Sequence, residues 1–182
     1  MDAGAAAQSR AWLALGQEII EVLGKVDPEA FFRVVRAFDD CKRRWFFSGQ
    51  GRSGLAASMA AMRAMHLGRI VHVVGEASAP SIRAGDGLLM ISGSGETPVS
   101  VAFARIAKAE RAVLIVVTRQ PESVLANLAD EVLHVPVTRS AQFGGSLFEQ
   151  CSLILLDAVI FELGRHVPDA NTRMAHRHTN LQ

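Results

Sequence analysis

The sequence predicts an α/β protein, a three-layer α/β/α sandwich around a five-stranded parallel sheet of flavodoxin type. Strand-like apolar runs alternate with helical patterns along most of the chain, which is typical of parallel sheets covered by helices. One run, 112–118, consists almost wholly of β-branched residues and leucine, as expected for a strand buried on both faces. Two glycine-rich turns each join a strand to a helix, and such turns meet at the carboxyl edge of a parallel sheet, where ligands bind.

Two helices are predicted before the first strand. The first runs from a cap at Ser9 to about Gly24, on apolar residues at helical spacing. The second begins at Asp27-Pro28 and reaches about Cys41. Because a helical pair before the sheet has no crossover role, we expect at least one of these helices to pack on a partner chain.

The α/β core is predicted between residues 44 and 164. Its strands are 44–47, 70–74, 88–92, 112–118 and 131–135. Its helices are 55–67, 99–109, 121–128 and 146–164. The loop 75–87 is too short for a normal crossover helix, and a polar tail, 165–182, ends the chain. We expect residues 1–182 to form a single domain, with the helical pair as 9–42.

Two sets of sulfur-containing side chains are assigned to the interior. Met59, Met62 and Met65 recur along one predicted helix, and such a stripe is most simply core packing. Cys41 and Cys151 are expected to be buried as small hydrophobic residues in a reducing compartment. Neither cysteine has a close Cys or His neighbour at metal-ligand spacing, so no metal site is predicted.

Composition and charge exclude several classes of protein. The 182 residues carry 19 basic and 18 acidic side chains, a net charge of +1, which excludes a strongly basic nucleic-acid binder. No apolar run reaches the roughly 18 residues of a membrane span. The amino terminus also lacks the pattern of a secretory signal. We therefore expect a cytoplasmic protein that binds neither membrane nor nucleic acid.

The candidate phosphate cradle lies directly after the third predicted strand. It consists of six consecutive residues: Ser92, Gly93, Ser94, Gly95, Glu96 and Thr97. Glycine lets the backbone approach a ligand closely, hydroxyls can donate hydrogen bonds, and the free amides at a helix start favour an anion. The alternative is an ordinary glycine-rich turn whose hydroxyls cap the helix.

A second glycine-rich turn follows the first predicted strand. Its candidate ligand-binding residues are Gly49, Gly51, Arg52 and Ser53. Arg52 either pairs with phosphate or a sugar oxygen, or forms an ion pair with Glu76 or Glu96. The turn has the Gly-x-Gly spacing of a dinucleotide fingerprint without its third glycine. Glu76 could take the ribose-binding position, so nucleotide binding stays open as an alternative.

Together the two turns resemble those of the sugar isomerase (SIS) domain family. Further segments resemble one branch of that family, the 6-phospho-3-hexuloisomerases, and the likeness spans essentially the whole chain. These segments are Met-Arg-Ala-Met-His-Leu-Gly at 62–68, Val-Gly-Glu at 74–76, Gly-Ser-Leu-Phe-Glu at 145–149 and Arg-His-Thr-Asn-Leu at 177–181.

The resemblance implies an activity. Members of this branch interconvert D-arabino-hex-3-ulose 6-phosphate and D-fructose 6-phosphate, after hexulose-phosphate synthase in the ribulose monophosphate route of formaldehyde assimilation. They use no cofactor or metal. The resemblance also implies a homo-oligomer, with a tetramer favoured over a dimer.

The resemblance further points to three catalytic candidates. Glu149 matches the glutamate that transfers the proton, although a glutamate in the first turn of a helix can also simply stabilise the helix dipole. His66 and His178 are the candidates for the acid-base group, because histidine titrates near neutral pH. The alternatives are a helix-capping or buried histidine at 66 and a solvated tail at 178. The tail could also close over a neighbouring subunit's site.

Besides nucleotide binding, two other functions remain open. One is an SIS isomerase for another sugar, such as arabinose 5-phosphate or sedoheptulose 7-phosphate. The other is a non-catalytic sensor that binds a sugar phosphate without turnover. The presence of Glu149 at the matching position argues against a sensor.

Overall fold

A computed structural model of the protein describes residues 10–181. Its strands are β1 (Arg44–Gly49), β2 (Ile70–Val73), β3 (Gly87–Ile91), β4 (Val113–Thr118) and β5 (Glu131–His134). Its helices are α1 (Ala11–Leu23), α2 (Pro28–Asp39), α3 (Arg52–Leu67), α4 (Pro98–Ala109), α5 (Val124–Leu128), α6 (Ser146–Gly164) and α7 (Ala170–His176). The predicted cap at Ser9 lies outside the described residues.

The five strands form one parallel sheet in the order β2-β1-β3-β4-β5. This is the flavodoxin order, so the predicted fold class is confirmed. The order of strand addition reverses between β1 and β3, which lie side by side. The chain segments that leave these two strands therefore begin next to each other at the carboxyl edge of the sheet.

The two faces of the sheet have separate apolar cores. On one face, Trp45 and Phe47 of β1 pack with α1, α2, α3 and α6, and the ring of Trp45 stacks on Phe38 at 4.0 Å between centroids. On the other face, Phe46 and Leu114 pack with α4 and α5. Side chains of a strand alternate between the two faces, which explains why three consecutive aromatic residues serve two cores.

Helix ends follow the predicted local chemistry in several places. The carboxylate of Asp27 accepts a hydrogen bond from the amide of Glu29, and Pro28 occupies the first turn of α2. Gly68 ends α3 in the left-handed conformation, with φ of 100°. The α6 helix spans Ser146–Gly164, as predicted.

The expected burial of the methionine stripe is wrong. Met59 and Met62 are 52% and 55% exposed. The buried face of α3 is formed instead by small residues: Ala56, Ala57, Ala60, Ala61 and Ala64. Alanines allow the helix to lie close to the sheet, so the longer methionine side chains are on the outer face.

Three further expectations differ from the structure. Cys41 is exposed because α2 already ends at Asp39, whereas Cys151 is buried as expected. The α5 helix does not begin at Pro121 but after Ser123, whose hydroxyl accepts a hydrogen bond from an amide of the first turn. The tail contains a short helix, α7, that the sequence did not predict.

Within the described residues, no helix is both long enough and apolar enough to cross a bilayer.

Candidate functional site

The two glycine-rich turns lie side by side at the carboxyl edge of the sheet. Gly49 at the end of β1 pairs with Ile91 at the end of β3. The predicted ligand-binding turns therefore start from neighbouring strands and enclose one common edge. This placement is typical of ligand sites in open α/β sheets.

The turn after β1 requires glycine at two positions. A Cβ at Gly49 would lie 2.7 Å from the backbone of Ser53, too close for any side chain. Gly51 has φ of 56°, in the left-handed region. These features bring the start of α3 tightly against the end of β1, and the side chain of Ser53 is buried there.

The turn after β3 is held in shape by its own hydroxyl groups. Ser92 Oγ accepts a hydrogen bond from the amide of Gly95 at 3.2 Å, and Ser94 Oγ accepts one from the amide of Glu96 at 3.2 Å. Ser92 Oγ also lies 3.4 Å from Thr97 Oγ1. In the described part of the chain, the amides of Gly93, Ser94 and Thr97 have no acceptor, so these are the donors available to an anion.

The side chain of Glu96 does not take part in this anion-binding turn. Its Oε1 accepts a hydrogen bond from the amide of Val124 at 2.7 Å, at the start of α5. The carboxylate therefore caps a neighbouring helix, which is a structural role.

Glu149 is joined to the first turn by an ion pair. The Nε of Arg52 donates a hydrogen bond to Oε2 of Glu149 in the first turn of α6. Of the two alternatives given for Arg52, the structure shows an ion pair, but its partner is Glu149 instead of Glu76 or Glu96. The Glu149 side chain is 15% exposed and that of Arg52 is 62% exposed. The pair places a carboxylate beside the two turns, where a general base could reach a bound ligand.

His66 and His178 lie together but far from Glu149 within one chain. Their rings stack with centroids 5.2 Å apart and planes 11° apart. His66 is at the carboxyl end of α3, and Arg52 is at its start. The 14 steps along the helix from Arg52 to His66 correspond to about 21 Å along its axis. A single copy of the chain therefore does not bring the two histidines to Glu149.

The tail is hydrogen-bonded to the end of α3 near these histidines. Arg177 donates hydrogen bonds to the backbone oxygen of His66 at 3.4 Å and to that of Arg173 at 3.1 Å. His66 is only 3% exposed. Burial, and then the positive charges of His178 and Arg63, lower the pKa of His66 below its ordinary value of 6.5.

Two residues near the site were not predicted. Arg119 follows β4 and lies against Gly93, and only its position after a strand could have indicated it. Glu18 on α1 accepts hydrogen bonds from Ser140 Oγ at 2.6 Å and from the amide of Ala141 at 2.8 Å. It thereby anchors the loop that leads to α6, a contact across more than a hundred residues that no sequence pattern indicates.

Two surface features lie outside this edge. A cavity of about 600 Å³ between α3, α6 and α7 is lined by Arg63, Phe161 and Met174, among others. A cavity of about 250 Å³ lies under the loop 75–86, next to Phe46 and Phe103. Across residues 10–181, no three His, Cys, Asp or Glu side chains converge as a metal site would require.

Comparison with known proteins gives consistent matches. Residues 40–160 match the SIS domain family. A 3-hexulose-6-phosphate isomerase from Mycobacterium gastri is 40% identical over 173 residues, which covers 91% of this chain and 86% of the relative. A 3-hexulose-6-phosphate isomerase from Bacillus subtilis is 38% identical over 147 residues, which covers 75% and 79%.

A solved structure supports the same grouping. The crystal structure of a Methanococcus jannaschii protein, from which a molecular function of 3-hexulose-6-phosphate isomerase was inferred, superposes with a TM-score of 0.84. The two sequences are 30% identical, and the match covers 94% of this chain and 99% of that protein.

Proposed function

This chain belongs to the SIS domain family, and we propose that it is a cytoplasmic isomerase that interconverts D-arabino-hex-3-ulose 6-phosphate and D-fructose 6-phosphate. In this role it would serve the ribulose monophosphate route of formaldehyde assimilation. The observation that carries the proposal is the contact between Arg52 and Glu149, which holds a carboxylate at the edge formed by the two turns. The whole chain would act as one unit, because α1, α2 and α7 share a core with the sheet.

The reaction needs one base that serves two adjacent carbons. Glu149 would take the proton from C2 of the 3-ulose, giving a 2,3-enediolate, and return a proton to C3. Meanwhile the hydroxyl proton moves from O2 to O3, so the sugar is isomerised without any change in its composition. Arg52 would fix the direction of the carboxylate and face the oxygen on which negative charge develops.

The phosphate would bind at the turn after β3. The amides of Gly93, Ser94 and Thr97 are available as donors, and the hydroxyls of Ser92, Ser94 and Thr97 lie on the same turn. On the other side, Gly49, Gly51 and Ser53 line the turn that carries Arg52.

The histidines would come from a second copy of the chain. The outer face of α3 carries Leu55, Met59 and Met62, all of which are exposed. A twofold axis through the middle of this face would pack two α3 helices antiparallel. The end of α3 that carries His66 and His178 would then approach the Arg52 end of its partner, where one of these histidines could shuttle the hydroxyl proton.

A tetramer would need a second contact surface. The α1 helix exposes Trp12, Leu13 and Ile20, which form a second apolar patch separate from α3. Two self-complementary patches fit a tetramer with two kinds of twofold interface. No cofactor or metal has a part in this proposal.

Proton exchange in heavy water tests the proposed function. Incubation of fructose 6-phosphate with the protein should place deuterium at C3 of the recovered substrate and at C2 of the newly formed 3-ulose, as followed by NMR. A Glu149→Gln variant should lose about 100-fold or more of this exchange. Glu122→Gln is the matched control, since Glu122 is exposed and its side chain forms no hydrogen bond within the described residues.

The other outcomes of this experiment are distinct. Exchange at C1 would indicate an isomerase for an aldose and ketose pair. Binding of fructose 6-phosphate without exchange, measured by calorimetry, would indicate a sensor or an isomerase for another sugar. Either result would overturn the proposed reaction.

A further inference from the structure

Arg119 lies at the proposed phosphate site although no sequence motif singles it out. It directly follows β4, whose last residue is Thr118, and β4 pairs with β3. The chain therefore leaves β4 at the same edge of the sheet and next to the turn that begins at Ser92. The hydroxyl of Thr118 reinforces this arrangement by accepting a hydrogen bond from the amide of Gln120 at 3.1 Å.

The side chain of Arg119 lies across this turn. Its Nε is 3.8 Å from the position that a Cβ would occupy at Gly93, and a ring carbon of Phe148 is 3.3 Å from the same position. Phe148 immediately precedes Glu149 in α6. Arg119 therefore lies beside the turn after β3, at the point where Phe148 of the helix with the proposed base also approaches it.

Among the residues that the structure describes, Arg119 has no partner that compensates its charge, unlike Arg52. Within residues 10–181, the exposed Arg119 side chain forms neither an ion pair nor a hydrogen bond, whereas Arg52 is paired with Glu149. The contacts place four charged groups around the turn: Arg52, Arg119, Glu96 and Glu149. Their charges sum to zero with Arg119 and to −1 without it.

This balance matters because the ligand is itself strongly negative. A phosphate monoester carries a charge of about −1.5 to −2 at neutral pH. Without Arg119, this phosphate would bind through amides and hydroxyls alone, at a site whose net charge is already negative. A guanidinium group offers parallel N–H donors that match two phosphate oxygens.

We propose that Arg119 is the cation that binds the substrate's phosphate group, completing the site formed by the turn after β3. This inference rests on the proposed function for its substrate, a sugar phosphate. It assigns Arg119 to binding and leaves proton transfer to Glu149. A purely structural alternative is that the Arg119 side chain only covers the ring of Phe148, which a methionine of similar length would also do.

The test compares Arg119→Gln, Arg119→Met and Arg119→Lys with the wild type. Steady-state kinetics should give a KM for fructose 6-phosphate and an inhibition constant for inorganic phosphate that both rise about 10- to 100-fold in the Gln and Met variants. The kcat should change by less than about 3-fold, because the contact is equal in ground and transition states. Arg119→Lys should recover part of the affinity.

Arg105→Gln is the matched control, since Arg105 is an exposed arginine on α4 without an ion pair among the described residues. It removes the same net charge and should leave both constants unchanged. Unchanged constants in Arg119→Gln, or a Met variant that behaves as the wild type, would overturn the inference.

Binding of inorganic phosphate, measured by calorimetry, separates this inference from the proposed function. If the wild type fails to isomerise fructose 6-phosphate but binds phosphate more tightly than Arg119→Gln, the proposed reaction is wrong and the role of Arg119 stands. If the wild type turns over and the variant binds phosphate equally well, only the role of Arg119 is wrong.

Discussion

The carboxylate of Glu149 accepts a hydrogen bond from the guanidinium of Arg52, a residue 97 positions earlier in the chain. This contact joins the first turn of α6 to the first turn of α3, so two helices on one face of the sheet meet at its carboxyl edge. It ties the orientation of the proposed base to the conformation of a glycine-rich turn.

Loss of this contact should slow the reaction more than it weakens binding. In Arg52→Gln, Glu149 loses the partner that fixes its direction, and a misplaced base costs on the order of 10- to 100-fold in kcat. Arg52→Lys should restore part of the rate, because its ammonium group can still pair with the carboxylate. Steady-state kinetics with fructose 6-phosphate would measure both effects.

The control for this change is Arg165→Gln, which breaks the exposed ion pair with Glu162 at the other end of α6. It should leave kcat unchanged. A rise in KM without a fall in kcat in Arg52→Gln would instead indicate that Arg52 binds the phosphate or a sugar oxygen.

Gly95→Ala should destabilise the protein and loosen the turn after β3. Gly95 has φ of 66°, and an added Cβ would overlap Ser123 Oγ. Strain in this region costs about 1–3 kcal/mol before the steric overlap is counted. For a chain of this length, each kcal/mol lowers the melting temperature by roughly 2–4 °C. Calorimetry would measure the change.

Gly16→Ala is the matched control for this prediction. Gly16 lies inside α1, and a Cβ there would have no neighbour within 4 Å among residues 10–181. Alanine is favoured over glycine inside a helix by about 1 kcal/mol, so this variant should be as stable as the wild type or more stable. Equal melting temperatures for Gly95→Ala and the wild type would contradict the geometry described for the turn.

Acid pH should destabilise the fold through His66. Because burial lowers its pKa below 6.5, the unfolded chain binds this proton more readily than the folded chain. The stabilising contribution of neutral His66 is therefore full above pH 6.5 and is lost as the pH falls toward the folded-state pKa. The positive groups that face it, His178 and Arg63, act in the same direction.

Melting temperatures across a range of about pH 5 to 8 would measure this dependence. The wild type should lose stability more steeply on the acid side than His66→Gln. His166→Gln, a change at an exposed position, should keep the wild-type profile. Parallel profiles for wild type and His66→Gln would show that this histidine does not control acid stability.

Met59→Glu should disrupt association of the proposed oligomer without unfolding the chain. Met59 is exposed on the outer face of α3, so the substitution places a charge where a second copy would pack. Sedimentation should show a smaller species, and the isomerase rate should fall together with association. Ile106→Glu, at an exposed apolar position on α4, should change neither.

A dissociated Met59→Glu variant that retains full activity would show that each copy has a complete site. In that case, the roles proposed for His66 and His178 through a partner subunit would be wrong. An unchanged sedimentation profile would instead place the interface elsewhere.

Local patterns in the sequence were sufficient to predict the fold and the two turns. The alternation of strands and helices, the run 112–118 and the glycines of each turn depend on near neighbours in the chain. The buried face of α3 was predicted wrongly because two of its faces are apolar, one formed by alanines and one by methionines. The sequence period is the same for both faces. Only the spacing between helix and sheet decides that the alanine face, rather than that of Met59 and Met62, is buried.

The parts of the site that were missed depend on distant segments. The pairing of Arg52 with Glu149 arises from the packing of α3 against α6, and the position of Arg119 from the pairing of β4 with β3. The histidine motif was visible in the sequence, yet the length of α3 separates His66 from Arg52. A local motif carries no information on that separation across the fold.

The difference between the two cysteines makes the chain suitable for selective labelling. Cys41 is exposed, whereas Cys151 is fully buried and its burial raises the pKa of its thiol to about 11. A maleimide reagent needs an accessible thiolate, so near neutral pH it should modify Cys41 alone. A fluorophore or spin label could thus be attached without engineering, and distances between labels on two copies would map how the subunits are arranged.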